Sequence, residues 1–238
     1  MKTLFAKSLF LILSLAFSNK ILSQNKTNIL GAWMMEQDNI THLLLFTSQH
    51  YSYSVYNIPE KKFIQTQGGT WTEANGSVNT KTEFSTTDKS MVGKTYSYPV
   101  KIESGHMLTN WSGQDKKWKQ VDNGGGDLNA TWRITGRDQK GTMNSIPPSA
   151  RKTIKILTGT RFQWAAINTQ TGDFFGTGGG TYTFKDGRYT ETIEFFSRDS
   201  SRIGMQLSFD GKVEGKDWHH RGKSSKGDPI YEVWSKED

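Results

Sequence analysis

The sequence predicts an all-β protein built as two tandem, small, antiparallel up-and-down barrels of about eight strands each. Three observations carry this prediction: apolar and polar residues alternate with period two, the chain repeats itself at a spacing of 111 residues, and turn dipeptides recur at matching places in both copies. Helical spacing is nearly absent. The 238-residue chain is 34% hydrophobic and 12% aromatic, too rich in large apolar side chains for disorder. With no cysteine, it has no disulfide framework, thiolate metal site or cysteine nucleophile.

From the N-terminus, Lys2 and Lys7 precede the apolar run 8–17, and small Ser23 stands before Gln24. This reads as a secretory signal over 1–23, with an apolar part too short to span a bilayer. The alternative is an uncleaved N-terminal anchor, for which no stop-transfer flank is present. Cleavage removes three of 30 basic residues and leaves 27 against 23 acidic ones, a net charge of +4. That is too mild for a nucleic-acid footprint, so no nucleic-acid partner is expected. Export without disulfides points to a bacterial envelope, periplasmic or extracellular, with no integral membrane span after cleavage.

The repeat then organises the chain. Shifted by 111 residues, Phe63 to Phe84 falls on Phe174 to Phe195 without a gap: Gly68-Gly69-Thr70 meets Gly179-Gly180-Thr181, Asn75-Gly76 meets Asp186-Gly187, and Glu83-Phe84 meets Glu194-Phe195. Trp33 meets Trp132 at a spacing of 99, so the second copy carries about a dozen extra residues after its first strand, Pro147 and Pro148 among them. Glycines at 124–126 resist regular structure. The expected organisation is a first barrel over 24–122, a glycine-rich linker at 123–127, and a second barrel over 128–238.

Each copy reads as short strands with one buried face, as in 160–167, 180–184 and 189–195. Asn75-Gly76 and Asp186-Gly187 suit tight primed turns, which need positive φ at both central residues, and Asp210-Gly211 predicts a third hairpin. Eight short strands in roughly 100 residues close into a small barrel and hide the sheet edges. Strands 79–83 and 212–216 place charges opposite their apolar residues, which argues against the greasy outer band of a membrane barrel. The glycines at 178–180 mark a bulge or bend; no helix or lysine follows them to make a phosphate cradle.

The second copy contains Phe162-Gln163-Trp164, Gly178-Gly179-Gly180-Thr181-Tyr182-Thr183, Asp186-Gly187, Tyr189-Thr190-Glu191, Trp218-His219-His220 and Glu232-Val233-Trp234. These residues resemble a secreted bacterial lipocalin-like domain family of unknown function. The resemblance spans Trp132 to Lys236, and the first copy looks like a diverged duplicate with Leu108 and Thr109 in place of the two histidines. It implies a calycin-type barrel and a pocket, and brings no established ligand or reaction.

His219 and His220 are adjacent on a strand, so only one of them enters the interior; if that face is shared with Trp218, it is His220. Glu191 and Glu194 lie on opposite faces, a poor arrangement for paired-carboxylate chemistry. Glu194 matches Glu83, which suggests a structural partner common to both copies. The candidate ligand-binding residues are Arg161, Trp164, Tyr182, Phe184, Trp218 and His220, with the aromatics lining a cavity and Arg161 or His220 orienting the ligand. Each has an ordinary structural alternative: core for the aromatics, a solvated charge for Arg161, a satisfied interior side chain for His220. No Gly-x-Ser-x-Gly or His-Glu-x-x-His pattern occurs, so no catalysis, metal or cofactor is expected. Two functions remain, an exported module binding a small, largely apolar ligand in the second barrel, or an interaction scaffold with filled barrels that meets a protein or glycan through its loops, including 147–151.

Overall fold

A computed structural model describes residues 28–237 apart from 112 and 114, and the expected signal segment lies outside them. The chain forms two closed antiparallel barrels. The first joins β1 (Gly31–Gln37), β2 (Ile40–Phe46), β3 (His50–Asn57), β4 (Lys62–Ala74), β5 (Ser77–Ser85), β6 (Thr95–Glu103), β7 (His106–Thr109) and β8 (Lys116–Asp122), with β8 returning to β1. The second follows the same order in β9 (Ala130–Gln139), β11 (Arg151–Leu157), β12 (Arg161–Asn168), β13 (Asp173–Lys185), β14 (Arg188–Phe196), β15 (Gln206–Glu214), β16 (Asp217–Lys223) and β17 (Pro229–Lys236), closed by β17 on β9. The extra residues of the second copy form β10 (Thr142–Ser145), which lengthens the hairpin with β9, and the loop at 146–150. Among the described residues no helix is long and apolar enough to cross a membrane.

Local chemistry sets the strand ends. Asn75 and Gly76 have φ of 53° and 73°, and Asp186 and Gly187 have 51° and 74°, the left-handed pair that a primed turn requires. The glycine-threonine strand of the second copy bulges between Gly179 and Gly180, within the expected glycines, and that of the first copy bulges at the equivalent place, between Gly68 and Gly69. Asp210-Gly211 is not a hairpin. Both residues lie inside β15, and the turn comes at Gly215, with φ of 62°. The glycine is needed for close packing instead: a Cβ at 211 would stand 2.9 Å from the Phe184 ring and 3.2 Å from Trp218 Nε1.

Three apolar clusters hold the molecule together. One fills the first barrel around Trp33, Leu44, Tyr51 and Trp118; another fills the second around Trp132, Phe162, Tyr189 and Trp218. The third lies between the barrels, where Leu43, Leu45, Tyr56 and Phe84 meet Ile154, Ile156, Ile167 and Phe195. The expectation of strands with one buried face therefore fails for β3, all eight residues of which are buried. Its inner face belongs to the first barrel and its outer face to the joint.

The joint has an approximate two-fold relation. Phe84 stacks on Phe174 with ring centroids 6.4 Å apart, and their repeat equivalents Phe195 and Phe63 stack at 6.1 Å. Glu83 pairs with Lys152 of the other copy at 3.2 Å, and Glu194, held by Arg161 of its own copy at 2.7 Å, accepts from the Tyr56 hydroxyl of the first copy at 2.7 Å, so the glutamate kept in both copies serves the contact between them. Near the centre, buried Gln163 donates to Thr66 and Thr177 and accepts from Ser54, which satisfies an amide that would otherwise be costly to bury.

Asp122, the last residue of β8, fastens the first barrel to the turn between β11 and β12. Its carboxylate accepts from the backbone of Gly159 and Thr160 and from both threonine hydroxyls at 158 and 160, at 2.8–2.9 Å. Burial alone would raise its pKa, but these bonds outweigh burial and hold the carboxyl below its usual range. Asp122→Ala is expected to cost about 2–3 kcal/mol of unfolding free energy in urea. A loss under about 0.5 kcal/mol would mean that water replaces the carboxylate without cost.

Candidate functional site

The interior of the second barrel is incompletely filled. A cavity of about 350 Å³ remains, at the small end of the ~300–1,000 Å³ typical of small-molecule sites. Its apolar wall comes from Trp164, Ile193, Phe196, Leu207, Phe209 and Ile230. Its polar part comes from Arg137, Lys155, Glu191, His220 and Glu232. Ser224 and Ser225, in the turn between β16 and β17, also line it, and Arg202 donates to the Ser225 carbonyl, which anchors that turn.

Strand alternation explains this mixture. On β11, Lys155 lies between Ile154 and Ile156; both isoleucines face the other barrel, so the lysine is turned inward and is 5% exposed. On β14, Glu191 shares the inward face with Tyr189 and Ile193, and on β17, Glu232 shares it with Trp234. Burying these charges is costly unless they are paired. Lys155 Nζ stands 3.4 Å from Glu191 Oε2 and 5.0–5.5 Å from the rings of Phe162, Tyr189, Trp218 and Trp234. Four aromatic faces offset part of the lost hydration of the ammonium. The Tyr189 hydroxyl donates to the same Glu191 oxygen at 3.0 Å, and burial together with that carboxylate raises the phenol well above its ordinary pKa.

Glu232 is the second anchor. Arg137 reaches its Oε1 at 2.7 Å, and the Trp234 indole donates to Oε2 at 3.1 Å. Burial would raise this carboxyl, yet His220, Arg137 and Lys155 together bring it down to about 2. Arg137 keeps half of its side chain in solvent, which makes it the rim of the site. His220 is 2% exposed, stacked against Phe209 with centroids 4.0 Å apart, and its Nδ1 is 3.7 Å from Glu232 Oε2. Burial lowers its pKa, so the imidazole is neutral at neutral pH.

The six residues chosen from the sequence are thus distributed. Trp164 and His220 line the cavity. Tyr182, Phe184 and Trp218 belong to the packed part of the same interior, with the Tyr182 hydroxyl bonded to the Thr158 carbonyl. Arg161 lies outside the barrel, between the two copies, bound to Glu194, which also accepts from the Tyr56 hydroxyl at 2.7 Å. His219 faces outward, 2.9 Å from the Tyr231 hydroxyl. Lys155, Glu191, Glu232 and Arg137 were not among the six. The signal for them was present, since Lys155 falls on Leu44 and Glu191 on Thr80 in the repeat, both inward positions of the first barrel.

The first barrel lacks this arrangement. Leu44, Thr80, Thr109 and Lys116 stand where the second barrel has Lys155, Glu191, His220 and Glu232, with Thr109 facing Lys116 across its strand pair as His220 faces Glu232. Trp111 enters its interior, stacks on Tyr98 at 4.2 Å and meets Phe46 and Tyr51 edge-on. Two closed eight-stranded antiparallel barrels in tandem fit a lipocalin-like fold. In comparison with known proteins, no family model matches the chain, and no curated protein matches it.

Proposed function

We propose that the protein is an exported, lipocalin-like binding module whose second barrel holds a small, largely apolar ligand, and that it performs no catalysis. The observation that supports this best is the contrast between the copies. On one scaffold, the second interior has a cavity with four charged side chains and a histidine on its wall, while the first has Leu44, Thr80 and Thr109 at the places of Lys155, Glu191 and His220, with Trp111 buried in its core. Isolated charges in a structural core are a liability, and their concentration at one cavity is typical of a site under functional demand. The export part rests on the N-terminal pattern, Lys2 and Lys7 before the apolar run 8–17, and the family assignment rests on the motifs of the second copy.

Native mass spectrometry of the chain purified from its own host tests this reading. The expected result is an added small-molecule mass that disappears on denaturation and is absent from Trp164→Ala, since Trp164 forms one wall of the cavity. A bare polypeptide mass, together with no thermal shift from any member of an apolar compound set, would overturn it in favour of the scaffold.

A further inference from the structure

The ion pairs of the cavity dictate where a charged end of a ligand can lie. Lys155 is matched by Glu191 and Arg137 by Glu232, so a charge carried deep into the barrel would lose its hydration without gaining a counter-charge. Such a charge is restricted to the mouth, and strand pairing shows one place where the cavity meets the surface. β9 pairs with β11 from Ala130–Leu157 to Arg133–Ile154, but from Gly136 onward its partner is β10. Pro147 and Pro148 fall between β10 and β11 and have no N–H with which to rejoin the ladder. In the first barrel, β1 and β2 pair without a break from Gly31–Phe46 to Gln37–Ile40. Beside the break in the second barrel runs a surface groove lined by Ile146, Pro147, Ser149 and Arg151, and it shares Arg137 and Thr153 with the cavity.

Arg137 is therefore a wall of both spaces, and it keeps donors free. Its Nε and Nη2 donate to Glu232 Oε1 at 3.1 and 2.7 Å, which spends two of the five guanidinium protons, and half of the side chain faces solvent. Arg151 stacks 4.3 Å over the Phe175 ring and pairs with no carboxylate among the described residues. The wider surroundings have the same sign. Residues 137–153, 168–173, 197–205 and 223–228, which form this end of the barrel, carry eight lysines and arginines against four aspartates. The hairpins of the opposite end, at 157–161, 185–188 and 214–217, carry four against three. The field at the mouth thus favours an anion, while Trp164, Ile193, Phe196, Leu207 and Ile230 inside favour an apolar body.

We infer that the ligand is an anionic amphiphile, a carboxylate or phosphate on an apolar body, held with its head at Arg137 beside the break between β10 and β11 and its body in the cavity. A guanidinium with free N–H groups at a solvated rim binds either head group by charge-assisted hydrogen bonds without burying the ligand's charge. The inference deepens the reading of the second barrel as a binding module and rests on it.

Isothermal titration calorimetry of the full chain at neutral pH, with four probes that share a ten-carbon chain and stay below their micelle concentrations, tests the inference: decanoate, decyl phosphate, decanol and decylammonium. The tighter of the two anions is expected to bind at least tenfold more tightly than decanol and decylammonium, and to weaken at high salt while decanol does not. Arg137→Gln should bring the anions to the level of decanol, with decanol itself within about twofold of its wild-type affinity, which shows that the cavity is intact. Arg151→Gln, at an exposed position, should cost the anions several-fold and decanol nothing. Equal binding of the anions and decanol, a preference for decylammonium, or an anion preference unchanged in both variants would overturn the inference and leave the binding module standing. Failure of all four probes, decanol included, would count against the binding module itself.

Discussion

Glu191→Gln should lower the unfolding free energy by about 3 kcal/mol, because it leaves the Lys155 ammonium buried without its carboxylate. Lys155→Met should cost a similar amount, since Glu191 would then keep its charge in an apolar interior with the Tyr189 hydroxyl as its remaining close partner. The double variant is expected to come within about 1 kcal/mol of the wild type, or above it, because a neutral pair of matching shape carries no desolvation penalty. In that variant the introduced amide oxygen still accepts from the Tyr189 hydroxyl. Urea denaturation of all four proteins closes the cycle, and native mass spectrometry of the double variant reports whether the bound small-molecule mass is kept. Stability restored while binding is lost would mark the pair as kept for the ligand. Single variants with no cost would show that the pair is hydrated, and a double variant as poor as the two losses combined would make it a structural element.

The second large effect lies at the joint. Phe195 is fully buried, with its ring 4.7 Å from that of Tyr56 and 6.1 Å from that of Phe63. Phe195→Ala should cost about 3–5 kcal/mol through lost burial and the cavity left behind. Phe84→Ala, its repeat equivalent stacked on Phe174, should cost nearly as much. Each copy carries tryptophans, so fluorescence and circular dichroism should report one coincident urea transition for both barrels in the wild type. Two separated transitions, or an alanine variant that loses less than about 1 kcal/mol, would show that the barrels are stable independently and that the joint contributes little.

Much of the architecture was legible because its causes are local. Alternation of period two follows from the pleat, and Asn75-Gly76 and Asp186-Gly187 turn the chain because those residues tolerate positive φ. Glycines inside a strand marked the bulge at Gly179-Gly180, and the structure repeats it at Gly68-Gly69. Adjacency on a strand separated His220 from His219, with the first buried and the second half-buried. Asp210-Gly211 misled because a turn dipeptide also serves where a ring must approach the backbone, and at Gly211 the ring is that of Phe184.

What sequence alone determined, then, is the all-β class, the duplication and the strand alternation, each set by neighbours along one chain. Tertiary structure decided which face of each strand is interior. In Ile154-Lys155-Ile156, a rule with one buried face sends the isoleucines inward and the lysine to solvent, but the second barrel offers the isoleucines an apolar surface outside and the lysine a carboxylate and four aromatic rings inside. Arg161 pairs with Glu194, which also accepts from the Tyr56 hydroxyl of the other copy, and so it lies at the joint and away from the cavity. Burial is a property of what packs against a face, and for these strands the packing partner lies about a hundred residues away in the other copy.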